Sequence, residues 1–181
     1  DCFVVDYTTG IKLVGGANRL TRCHIWGGTI PPKSRSIREW SEFYGKNKKV
    51  MIAGQYNDEV DANILEYGVP EMLVNSVSFD IRGGINVIDG CFADTAEIGY
   101  LVKGNNNIIT NCGFFNNKLM GLRNTLAIKN EAKGLVVTNS FFTNATGTDR
   151  YYEGDSDTVT WQNNSVEKPE SSESYFAKQK K

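Results

Sequence analysis

The chain has 181 residues, a formal net charge of −1 and a single histidine, which suits one globular domain with a sizeable core. So even a balance creates no whole-molecule field to gather nucleic acid. No apolar run approaches the roughly 18 residues needed for a membrane-spanning helix, so neither nucleic-acid binding nor membrane insertion is expected.

The first residues, Asp1-Cys2-Phe3-Val4-Val5, already lie inside a structural unit. The segment Gly10-Ile11-Lys12-Leu13-Val14-Gly15-Gly16-Ala17-Asn18-Arg19-Leu20-Thr21-Arg22-Cys23 then aligns without gaps on the fourteen residues ending at Cys91, and on those ending at Cys112. Cys2 and Cys23 are 21 residues apart, as are Cys91 and Cys112. A period near 21 holding short strand patterns marks a stacked solenoid. Residues 1–28 read as regular coils. Residues 29–70 break the period, with Pro31-Pro32, a helix expected over Ser36 to Tyr44 and a strand over Lys49 to Ala53. This stretch reads as irregular coils with insertions, or as one large loop. Residues 71–145 are regular again, 146–166 form a looser last coil, and 167–181 read as a polar linker and basic tail. A coil left bare at the start would expose sticky strand edges, so the chain is expected to be a fragment that continues a longer solenoid.

Within each unit a strand such as Phe79-Asp80-Ile81-Arg82 alternates apolar and polar residues. A Gly-rich corner follows, then a second strand and a third short run. Strands this short, joined by tight corners, build one coil of a parallel β-helix, with coils about 4.8 Å apart. Equivalent side chains then stack. Leu20, Ile88, Ile109 and Val137 form one expected ladder; Ile25, Ala93, Phe114 and Phe142 form another. The cysteines share a third slot with Ser140 and Ser165, as small buried residues. Asn18, Asn86 and Asn107 are expected at one corner, where Asn tolerates positive φ and can bond the next coil. The cysteine spacing is too long for the usual zinc pairs, and no metal or cofactor is expected. The fold class is all-β: a single-stranded, right-handed parallel β-helix with an irregular insertion.

Outward faces of such a helix form flat surfaces on which extended polymers fit. Glycosidases need two carboxyl groups at roughly 5–5.5 Å or 6.5–9.5 Å. Asp94 is the first candidate, because it follows a buried strand end and precedes a corner. Glu97, Asp89 and Asp80 are candidate partners; the last two point outward by alternation. One carboxyl would stay protonated through a like charge or apolar surroundings. His24 faces outward between Cys23 and Ile25. Trp26 shares the slot of Asp94 and either stacks on sugar or packs under the insertion. Arg82 shares an outward slot with Lys103 and completes the candidate sugar-binding set.

The stretches from Ala17 to Gly27, Asn75 to Phe79 and Gly90 to Gly99 resemble the pectate-lyase-like right-handed β-helix superfamily. They look most like its phage tailspike and appendage branch and related bacterial wall-associated proteins. The resemblance implies a homotrimer at a virion surface or outside the cell, acting on a cell-surface polysaccharide. The calcium-binding Asp cluster and catalytic Arg or Lys pattern of pectate lyases are not recognisable, so hydrolysis is expected over lyase chemistry. The opposing expectation is a non-enzymatic virion fibre, adhesin stem or secreted cell-wall protein, with acidic residues scattered over all faces.

Overall fold

A computed structural model describes residues 1–5, 7–27, 75–116, 125–144 and 151–167. The expected helix and strand within 29–70, Trp40 and the tail from 168 lie outside these residues. The chain opens with β1 (Cys2–Val5). The first complete coil holds β2 (Thr9–Leu13), β3 (Arg19–Thr21) and β4 (Cys23–Trp26). The second holds β5 (Val77–Ile81), β6 (Val87–Asp89) and β7 (Phe92–Asp94). The third holds β8 (Ile98–Val102), β9 (Ile108–Thr110) and β10 (Gly113–Asn116). The fourth holds β11 (Leu126–Asn130), β12 (Leu135–Thr138) and β13 (Phe141–Asn144). The last holds β14 (Tyr152–Glu153), a 3-10 turn, β15 (Val159–Gln162) and β16 (Ser165–Glu167).

Every third strand pairs in parallel. Sheet A runs β1-β4-β7-β10-β13-β16, sheet B runs β2-β5-β8-β11-β14, and sheet C runs β3-β6-β9-β12-β15. The chain is therefore a parallel β-helix. Both apolar ladders form as expected: Leu20 pairs with Ile88, Ile88 with Ile109 and Ile109 with Val137. Ile25 pairs with Ala93, Ala93 with Phe114 and Phe114 with Phe142. Phe79 and Tyr100 stack inside, with ring centroids 4.9 Å apart. Trp161, Tyr151 and Tyr152 are partly buried and pack against the core from the last coil.

The four cysteines are free thiols, and Cys23, Cys91 and Cys112 are buried. Their column is hydrogen-bonded as well as packed. The Cys23 amide donates to Cys91 Sγ at 3.4 Å, and the Cys112 amide to Ser140 Oγ at 3.1 Å. Burial pushes the Cys23 thiol up to about 11.

The corners from sheet B to sheet C carry the asparagine ladder. Asn86 Oδ1 accepts from the Asn18 amide at 2.9 Å, and Asn107 Oδ1 from the Asn86 amide at 2.7 Å. The positive φ expected at these asparagines falls one residue earlier, at Ala17 (58°), Ile85 (60°) and Asn106 (60°). The asparagines need their own amides turned inward to bond the neighbouring corner, so the residue before them makes the turn. A β-branched residue in the left-handed region is strained by roughly 1–2 kcal/mol, and Ile85 is also 66% exposed. Ile85→Asn, matching Asn106 one coil on, is expected to raise stability by about 1 kcal/mol in thermal or urea unfolding. An unchanged midpoint would show that the strain is absorbed elsewhere.

Strand offsets between adjacent coils show where length varies. Corresponding residues are 21 apart between the second and third coils, 28 between the third and fourth, and 24 between the fourth and fifth. Between the first and second coils the offset is 68, and β2, β3 and β4 pair directly with β5, β6 and β7. No coil is interposed in the ladders. All the variation lies in the connections from sheet A to sheet B: residues 6–8, 27–76, 95–97, 117–125 and 145–151. The connections from B to C and from C to A stay short and nearly constant. One edge of the molecule thus carries every insertion.

Candidate functional site

Sheet A ends at that variable edge, and its outer face is read from its register. Cys2, Val4, Cys23 and Ile25 point inward, so Phe3, His24 and Trp26 point outward. Register continues one outward column from Phe3 and His24 to Phe92, Gly113 and Phe141. The second column contains Trp26, Asp94, Phe115 and Thr143. The rings touch up the first column. Phe3 and His24 lie edge to face at 4.9 Å, His24 and Phe92 at 5.2 Å, and Phe3 also meets Trp26 at 6.2 Å. The Phe92 ring then lies over Gly113, occupying the space a Cβ would take. Phe3 and Phe141 are 58% and 42% exposed, well above what an apolar side chain keeps in a core.

Asp94 sits at the top of this face. Its Oδ2 lies 3.7 Å from His24 Nε2, with the carboxylate 17% and the imidazole 42% exposed. The Nε2 atom is itself buried and makes no hydrogen bond within the protein. Buried polar atoms are nearly always paired, so an orphan beside a carboxylate marks a place where a small shift would create a charge-assisted bond. Burial raises the Asp94 carboxyl above its ordinary value; a hydrogen bond from Thr95 and the nearby imidazole oppose that rise. The Thr95 hydroxyl donates to Asp94 Oδ1 at 2.7 Å. Thr95 is fully buried with φ of 59°. A β-branched residue held left-handed stores strain, and such outliers cluster at functional sites.

The ground beneath the corner is polar. Tyr7 Oη and Ser78 Oγ are 2.6 Å apart, and Ser76, Ser78, Thr95 and Thr125 are all fully buried. Burial, reinforced by the Asp94 charge, holds the Tyr7 phenol well above its usual range, so it stays neutral. Glu97 is half-buried. Its backbone is fixed, with its amide donating to Ser76 Oγ at 3.0 Å and its carbonyl accepting from the Leu126 amide at 2.7 Å.

The other sequence candidates go elsewhere. Asp89 is on sheet C, where Asn111 donates to it at 3.0 Å and Arg19 at 2.6 Å. Those two partners hold it below the usual carboxylate value. Asp80 is on sheet B. It points outward as alternation predicts, yet it is only 5% exposed, and Arg82 Nε donates to its Oδ2 at 2.9 Å. Arg82 is therefore engaged on sheet B, and Lys103 lies 3.5 Å from Glu131. The structure brings together His24, Trp26 and Asp94, with Glu97 around the same corner. It separates Asp80, Asp89 and Arg82 from them.

Sequence reasoning passed over Phe3, Phe92, Phe115 and Phe141. The signal was present: each falls in an outward slot once the cysteine column sets the phase. Among the described residues, no group of three His, Cys, Asp or Glu side chains is arranged to hold a metal ion. Comparison with protein-family models, with curated proteins and with solved structures returns no match. The class of the protein thus rests on its own structure: a parallel β-helix with an aromatic outer face beside the one edge where the connections vary in length.

Proposed function

We propose that this β-helix binds an extended polysaccharide across the outer face of sheet A. The observation that carries this reading is the half-exposed column of rings from Phe3 to Phe141, with Trp26 and Asp94 beside it, at the one edge that bears insertions. Aromatic rings offer sugar C–H faces a flat apolar surface, and Asp94 and Thr143 supply polar contacts. Connections of differing length on a constant scaffold are where recognition concentrates.

Cleavage by hydrolysis is the second part of the proposal, and Asp94 is its acid. A carboxyl raised by burial is suited to donate a proton to a leaving oxygen. Glu97 is the partner carboxylate, since Asp80 and Asp89 stand on other sheets. The spread of acidic residues over three sheets favours binding over two-carboxylate hydrolysis. The resemblance to tailspike-like β-helices extends the proposal to a homotrimer at a virion surface or outside the cell.

The test is incubation with envelope polysaccharides followed by a reducing-end assay. Asp94→Asn should lower the release of ends by about 100-fold or more, the usual contribution of a general acid. Release unchanged in that variant removes Asp94 from the chemistry. Binding without any release, in both proteins, leaves a recognition module and removes hydrolysis.

A further inference from the structure

The charge of the outer face selects among polysaccharides. On sheet A, the outward register positions of the described residues hold two carboxylate residues, Asp94 and Glu167, one imidazole, His24, and no lysine or arginine. The described cations stand elsewhere. Lys12 and Lys129 are on sheet B, Arg19 is on sheet C, and Arg82, Lys103 and Lys133 are at the corner between those sheets. Arg22, at the corner leading into sheet A, is taken by Asp1 through bonds of 2.7 and 2.9 Å.

A polyuronate carries one negative charge per sugar. Laid along this face it would bring a row of carboxylates to an aromatic surface with no described counter-charge, and one of them beside Asp94. Like charges in a partly dry site are costly, and among the described residues of this face no arginine is placed for the bidentate contacts that recognise carboxylates. Uncharged sugar rings meet neither obstacle. From this we infer that the ligand of sheet A is a neutral polysaccharide, held by ring stacking and hydrogen bonds rather than by ion pairs. The inference rests on the binding reading above and narrows it to one class of polymer.

Affinity electrophoresis of the whole chain tests it, in gels containing a β-glucan, a mannan or a galactan, and in gels containing polygalacturonate or alginate. Retardation by a neutral polymer is expected, with less than about a twofold change in affinity as salt is raised, because screening acts on charge contacts. Phe141→Ser and Trp26→Ser should each weaken it by about tenfold, while Lys129→Ser on sheet B should not. Retardation by the polyuronates alone, abolished by salt, overturns the inference and leaves the saccharide reading standing. No retardation in any gel overturns both. If Phe141→Ser instead changes the sedimentation mass and leaves retardation unaltered, the face is a contact between copies of the chain, and the inference falls.

Discussion

Gly83→Ala is expected to lower the melting temperature by about 6–12 °C, whereas Gly15→Ala, one coil away at the same corner, should leave it nearly unchanged. A Cβ on Gly83 would be driven into the carbonyl oxygen of Gly15 and would reach that of Val14 at 2.8 Å. Both obstacles are backbone atoms of the neighbouring coil and cannot rotate away. The coils would have to part locally. Three bonds are at stake: the amides of Arg82 and Gly83 donate to the Leu13 carbonyl at 2.8 and 3.1 Å, and Asn86 Nδ2 donates to the Gly83 carbonyl at 2.8 Å. Overpacking against movable side chains costs about 1–3 kcal/mol, and a fixed backbone puts this site at the upper end. For a chain of this length each kcal/mol is worth about 2–4 °C. A Cβ on Gly15 meets only Asn18 Nδ2, at an ordinary 3.5 Å. Equal melting temperatures for the two variants would show that the corners do not stack at the spacing described.

Asp94→Asn should raise stability at neutral pH and flatten its pH dependence. The folded state holds the Asp94 carboxyl above the ordinary aspartate value of 3.8, chiefly through burial. Between that value and the raised one, the folded chain binds more protons than the unfolded chain, so stability falls as pH rises through the window. Below the window both states are protonated and Asp94 contributes no difference. Above it the buried charge is a standing cost, which the amide removes. Asp89 has the opposite sign. Its carboxyl is lowered by Asn111 and Arg19, so its contribution is present above the ordinary aspartate value and disappears as acid takes the pH through the folded value. Thermal melts from pH 3 to 8 on wild type, Asp94→Asn and Asp89→Asn separate the two. If Asp94→Asn melts lower than wild type at neutral pH, the carboxylate is stabilised by its surroundings and the acid role loses its basis. The same substitution then reads differently in the two assays: a more stable protein that has lost the reaction is a site whose strain serves chemistry.

The repeat was legible because a β-helix writes its architecture locally. Each coil needs the same small residue at Cys23, Cys91, Cys112 and Ser140, and the same apolar residue at Leu20, Ile88 and Ile109, since each slot meets its own kind above and below. Alternation alone then told inward from outward, and it put His24 and Trp26 on the outer surface. It failed at Asp80, where alternation correctly predicts direction but says nothing about what covers a face. It also misplaced the left-handed turn residue by one, because composition favours Asn in that conformation while hydrogen bonding to the adjacent corner required Asn18, Asn86 and Asn107 for another task.

The sequence by itself determined the period, the two apolar ladders and the strand phase through the fourth coil, all of which depend on neighbours at a fixed separation along the chain. In the last coil it put Ser165 in the cysteine slot, which Asn164 fills instead, leaving Ser165 opposite Phe141. The tertiary structure alone decided which outward residues share a surface. Asp80, Asp89 and Asp94 lie within fifteen residues of one another, yet two corners turn them onto three different sheets. His24 and Asp94 are separated by the whole insertion, and they meet because the first and second coils pair directly. Corner angles and coil order are global quantities, and a periodic pattern carries no record of them.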